Sequence, residues 1–144
     1  MKKTLFIICI VFIIIMIILF MNLKNVQKNN IEIKQFNAGY EFYNKDDLCG
    51  IDVTTVINKA IDNNEKYEIK KDSSGNYMSD DEYGIKIYIK MIINKKTYSM
   101  EEIVEVGLEN FTELFGEVEF KCTDIEYHEV NGRIAKMVFE TVEY

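Results

Sequence analysis

The chain has 144 residues and a formal net charge of −7, which is room for one domain. Two of its 17 basic residues, Lys2 and Lys3, precede a long apolar run. The remainder therefore carries 15 basic against 24 acidic side chains, a balance of −9. That balance excludes a nucleic-acid surface, which rests on clustered Lys and Arg. With no Trp, no Pro, one Arg and one His, most routes to acid–base or metal chemistry are absent too, and no cofactor is expected.

Thr4 to Leu23 reads TLFIICIVFIIIMIILFMNL, with Thr4 and Asn22 its only polar members. A helix of that length spans about 30 Å, the hydrocarbon thickness of a bilayer. In lipid the backbone must satisfy its own hydrogen bonds, so a helix is the single-segment solution. The run exceeds the apolar region of a cleaved signal, and no small-x-small site follows it at Met21 to Asn25. The expectation is a retained anchor over residues 1–23, in the bilayer through residues 5–21. A polar linker at 24–30 and an α+β domain at 31–144 follow. Lys2 and Lys3 on one side nearly balance Lys24 and Lys28 on the other. The short leader is expected to stay inside, placing the domain outside the cytoplasm.

Ile31 to Tyr43 reads as a weak strand broken near Ala38-Gly39. Val53, Val56, Ile57, Ala60 and Ile61 then form one helical stripe after Gly50, with Asp52 at its positive end and Asn63-Asn64 closing it. Lys66 to Lys71 is a short strand candidate, followed by a turn at Asp72–Asn76. Tyr83 to Ile93 alternates, with Ile85, Ile87, Ile89, Met91 and Ile93 on one face. Ser99-Met100-Glu101-Glu102 is a capping box. It opens a helix that puts Met100, Ile103, Val104, Leu108, Phe111, Leu114 and Phe115 on one side, Gly107 among them, and Gly116 at C′. Val118, Phe120 and Cys122 alternate inward, and the register shifts near Thr123-Asp124. Asn131-Gly132 predicts a type I′ turn into a return strand from Arg133 to Val142.

The resulting fold class is α+β: an N-terminal transmembrane helix, then a small antiparallel sheet with two helices on one face, in the order β-α-β-β-α-β-β. Cys49 and Cys122 are the thiols outside the apolar run, and either one disulfide or two buried thiols fits them. The acidic stretch from Asp72 fails as an EF-hand, because Tyr77 stands at position six and Tyr83 at position twelve. His128 reads as a surface residue near a hairpin tip, and no residue set is assigned a catalytic role. On the sheet's second face Tyr88, Ile92, Ile134, Val138 and Val142 gather among lysines. They mark a surface covered by the Ile31–Phe42 segment, by a membrane-proximal extension or by a partner protein.

The stretch Phe36-Asn37, Tyr43, Gly50-Ile51-Asp52-Val53, Val56-Ile57-Asn58 and Asn63-Asn64, behind a Lys-Lys-started anchor, resembles a group of small membrane-anchored bacterial proteins. The resemblance implies location and architecture and carries over no catalytic residue. Pilin-like proteins share the plan of an apolar helix feeding an α+β head. This chain departs from them, with no Gly before Phe6 and with Ile10 where a mature pilin has its glutamate. The implied role is an interaction or structural subunit of a bacterial envelope assembly. A small tethered hydrolase using His128 or Cys122, or a cytoplasm-facing adaptor, is the alternative.

Overall fold

The computed structural model describes residues 2–142, with side chains from Ile10 onward. Its contacts divide the chain into a unit ending at Gln35 and a unit from Phe36. Helix α1 (Lys2–Glu41) runs through the apolar stretch and past it. From Ile10 to Leu23 its large apolar side chains are exposed on every side. The helix is long and apolar enough to cross a membrane. The expected linker at 24–30 is helical instead, since nothing before Gly39 breaks the helix. Lys28 and Glu32 pair across one turn at 3.8 Å.

The second unit is mixed α+β. After β1 (Leu48–Cys49) come α2 (Gly50–Lys66), β2 (Lys86–Met91), β3 (Lys96–Ser99), α3 (Met100–Val106), α4 (Leu108–Phe115), β4 (Glu119–Tyr127) and β5 (Ile134–Thr141). The sheet order is β1-β4-β5-β2-β3. Three pairings are antiparallel, and β2 and β5 run parallel, Ile87 beside Met137 and Ile89 beside Phe139. The sheet is therefore mixed, where an all-antiparallel one was expected. Between β2 and its parallel neighbour β5 the chain passes through β3, α3, α4 and β4, a connection long enough for parallel pairing.

Val53, Val56, Ile57 and Ala60 of α2 are fully buried with Ile85 just before β2, Ile87 and Ile89 of β2, Phe120 of β4, and Met137 and Phe139 of β5. The apolar stripe of α2 and the alternation of β2 thus meet in one core, with the helices on one face of the sheet. Ile31 to Glu41 is helix, not strand. Phe36, Tyr40 and Tyr43 recur at i, i+4 and i+7, the helical period, and pack against the core. Tyr40 donates to Lys59 O (2.9 Å) on α2, so the Phe36–Glu41 part of this segment packs on the helix side, and Tyr88 and Val138 on the second sheet face are half-buried. Lys66–Lys71 forms no strand; α2 runs on through Lys66, and Lys71 makes one isolated bridge to Tyr77.

The capping box is present: Glu102 N–H donates to Ser99 Oγ (3.2 Å) and Ser99 N–H to Glu102 Oε2 (2.8 Å). The helix behind it is two helices, however. Gly107 takes φ +103°, outside the α region, and its N–H closes α3 onto Ile103 O (3.1 Å) while it opens α4. Gly116 has φ −55° and is not a left-handed cap. A β-carbon there would lie 2.4 Å from Thr112 O.

The shift near Thr123 is a bulge between Cys122 and Asp124, and a second one falls between Glu126 and Tyr127. The Asn131-Gly132 turn is not type I′, because only Gly132 is left-handed (φ +72°). The loop is longer: His128 N–H donates to Arg133 O and Gly132 N–H to His128 O, both at 2.8 Å. Ile93 lies in the β2–β3 turn and is 95% exposed, not on the core face.

Candidate functional site

Three places in the second unit gather chemistry, and each follows from how a short segment satisfies its backbone. The first is the loop before β2. Asp80 Oδ1 accepts from the N–H groups of Glu82 (3.0 Å), Tyr83 and Gly84 (2.8 Å). Partial burial opposes its ionisation. The N–H donors of Tyr83, Gly84 and Glu82, with His128 nearby, outweigh it and hold the carboxyl below the usual carboxylate range.

That loop fixes His128, which is 7% exposed and not the surface residue expected. Its Nε2 lies 2.8 Å from Gly84 O. A carbonyl only accepts, so Nε2 carries a proton. Ser79, Asp80 and His128 line one small recess, the three residue types of a hydrolytic triad. Asp80 Oδ1 is spent on three backbone N–H groups and His128 Nε2 on a carbonyl, and these four bonds brace the loop.

The second place surrounds Arg133, the chain's single arginine, which is 8% exposed. Its guanidinium lies 3.8 Å from the centre of the Phe36 ring, 4.8 Å from Tyr67 and 5.1 Å from Tyr83. Tyr67 and Tyr83 stack at 4.5 Å. Arg133 donates to Tyr67 Oη (3.2 Å) and Asn63 Oδ1 (3.4 Å), and among the described residues it forms no ion pair. Asn63 and Asn64, expected to close α2, are buried within it. Asn64 pairs with Ile85, donating to its carbonyl and accepting from its N–H at 2.8 Å each. This is a structural knot joining α1, α2, β2 and the β4–β5 loop.

The third place is a recess of about 280 Å³ between the β2–β3 hairpin and helices α3 and α4. Met91, Tyr98, Ile103 and Phe111 form its inner wall. Ile93 (95% exposed), Leu114 (72%) and Val106 (68%) stand at its mouth. The sequence pattern assigned Ile93 and Leu114 to the core. The break at Gly107 and the turn at Ile92–Lys95 instead leave them outside.

Of the residues expected on the second face, Tyr88 and Val138 are paired across β2 and β5, while Ile92 lies in the β2–β3 turn and Val142 just past the end of β5, its N–H donating to Glu119 O (2.9 Å). Ile134 is fully buried in the core. The bulge at Glu126/Tyr127 inserts an extra β5 residue and turns Ile134 inward. Cross-strand ion pairs interrupt the face: Lys90 with Glu140 at 3.4 Å, and Lys136 with Asp124 (3.1 Å) and Glu126. Cys49 and Cys122 are free thiols. Cys122 N–H donates to Lys45 O (3.0 Å), four residues before Cys49. Cys49 stands opposite Glu119, three residues before Cys122 along β4, so the two are about 10 Å apart at the usual rise, beyond disulfide reach. Cys49 Sγ lies 3.3 Å from Asp52 Oδ2. Burial raises the pKa of Cys122 above the ordinary thiol value, which makes it a poor nucleophile at neutral pH.

The Asp72 turn is a hairpin in which Asp72 Oδ1 accepts from Ser74 (2.8 Å) and Asn76 (3.0 Å). Among the described residues no group of three metal-ligating side chains occurs. No protein-family model, no curated protein and no solved structure matches the chain.

Proposed function

We propose that this chain is a membrane-tethered interaction module: a single-pass anchor displaying an acidic α+β domain outside the cytoplasm, as a subunit of a bacterial envelope assembly. The observation that carries the reading is α1 itself. From Ile10 to Leu23 it exposes large apolar side chains around its whole circumference. A helix apolar all round has a stable place in lipid or in a protein core. The orientation rests on retention of the Lys2-Lys3 leader inside.

Support for interaction over catalysis comes from the second unit. Asp80, His128 and Arg133 are committed to bracing loops, and three of its exposed apolar groups, Ile93, Val106 and Leu114, cluster around a recess. The test is fractionation followed by protease treatment of intact spheroplasts. The reading expects the chain in the carbonate-resistant membrane pellet, with its domain digested from outside. Recovery in the soluble fraction, or full protection from protease, overturns it.

A further inference from the structure

The recess between the β2–β3 hairpin and α3/α4 is unlike the rest of the surface. Three neighbouring large apolar side chains, Ile93, Val106 and Leu114, are mostly exposed there, beside a pocket walled by Tyr98 and Phe111. Clusters of this kind mark docking sites. Its two rims differ in charge. The hairpin rim carries Lys95 and Lys96, and Lys96 Nζ sits 4.5 Å over the Tyr98 ring that lines the pocket. The helix rim carries Glu102, itself part of the lining, and Glu113 beside Leu114.

We infer that this recess is a self-docking site, occupied by the same recess of a second copy of the chain. A two-fold axis lying along the groove sets the hairpin rim of one copy against the helix rim of the other. Lys95 and Lys96 then face Glu102 and Glu113 twice over, and Ile93 of each copy enters the apolar mouth at Val106 and Leu114 of its mate. A uniformly basic partner would meet Lys95 and Lys96, and a uniformly acidic one Glu102 and Glu113. Self-pairing satisfies both rims. The patch is smaller than a stable soluble dimer needs, about 800 Å² on each side. The inference therefore rests on the tethered reading, because confinement to one membrane raises the local concentration of copies.

The test uses the full chain in native membranes, with Cys9, Cys49 and Cys122 replaced by Ser. Ile93→Cys and Leu114→Cys are then introduced separately into two differently tagged copies. Both positions are exposed, so the fold tolerates them. Mild oxidation of co-expressed copies is expected to give a mixed disulfide dimer at about tenfold the yield of either variant expressed alone. Lys96→Glu is expected to reduce that yield, and Glu113→Lys in the same chain to restore it. Equal yields in all three samples, no dimer, or linkage of Ile93→Cys only to a different polypeptide would each overturn the inference. Absence of the chain from the membrane pellet overturns the tethered reading instead. The cross-link is then scored on the purified full chain at high concentration, which replaces the confinement of the membrane, and the same outcomes decide the groove.

Discussion

The guanidinium carbon of Arg133 lies over the ring of Phe36, 3.8 Å from its centre, and joins the last turns of α1 to the β4–β5 loop. Asn37, one residue on, donates to Gly132 O (2.8 Å) and accepts from Ile134 N–H (3.0 Å), pairing with that loop as a strand would. A buried cation with no carboxylate partner depends on such a cage: the rings and the Asn63 and Tyr67 oxygens replace part of its hydration, while Nε is buried without a hydrogen-bond partner among the described residues. Arg133→Lys keeps the charge and loses the planar stack and the fork. It is expected to destabilise the domain by about 2 kcal/mol. In a double-mutant cycle with Phe36→Leu, read by urea denaturation of the full chain in detergent, the coupling should be about 1 kcal/mol. Additive losses would mean that the stack contributes nothing.

Gly107→Ala separates a broken helix from a continuous one. In an unbroken amphipathic helix, Ala would stabilise by about 1 kcal/mol over Gly. At φ +103° an L side chain is strained, so the substitution should cost about 1–2 kcal/mol instead. The sign of the change in urea midpoint decides between the two.

That contrast shows where the sequence was legible. The stripe Val53 to Ile61, the alternation Ile85 to Met91, the Ser99 capping box and the bulge after Cys122 are local patterns whose cause lies within a few residues, and all four are present. What was not legible depends on partners distant in sequence. Lys96–Ser99 has no apolar alternation and becomes a strand only because β2 lies beside it. Ile134 turns inward through a bulge set by β4. Arg133 and His128 read as ordinary loop residues until Phe36, Tyr83 and Gly84 are brought to them from elsewhere in the chain. The recess was hidden for a related reason. One glycine's positive φ moves Leu114 from a helix's inner stripe to the surface. A single arginine among many lysines was the available hint to the knot.

The thiols give a direct biochemical readout. With Cys122 N–H bonded to Lys45 O, Cys49 and Cys122 do not meet. Reducing and non-reducing gels of the monomer should therefore show equal mobility, and Cys49→Ser should change nothing. Each thiol should also be alkylated after denaturation without prior reduction. A reductant-dependent mobility shift that Cys49→Ser abolishes would show a bridge and require β1 to move.

Gly50 begins α2 directly against the end of α4. Its N–H donates to Val118 O (3.0 Å), and Ile51 N–H to Gly116 O (3.3 Å). The free N–H groups of one helix thereby meet carbonyls just beyond the other. A β-carbon at Gly50 would lie 1.9 Å from Phe115 O, an overlap with backbone that no rotamer relieves. Gly50→Ala is expected to cost about 3 kcal/mol despite the better helix propensity of Ala. A neutral result would mean that this junction is loose.

Acid should reach Asp80 only after it has protonated most of the surface carboxylates. Its carboxylate gathers three N–H groups of the loop that carries Gly84 to His128, and its pKa is lowered relative to the unfolded chain. A carboxyl lowered on folding contributes stability that is complete above its unfolded pKa, about 3.9. That contribution is lost as pH falls through the lowered folded value. Asp80→Asn retains an acceptor oxygen but not the charge, and should cost about 1–2 kcal/mol at pH 7. The difference between wild type and variant should shrink steadily below pH 4. Urea midpoints of both proteins from pH 7 down to pH 2.5 measure it. A gap that stays constant over that range would show that the ionised form of Asp80 adds nothing to the loop.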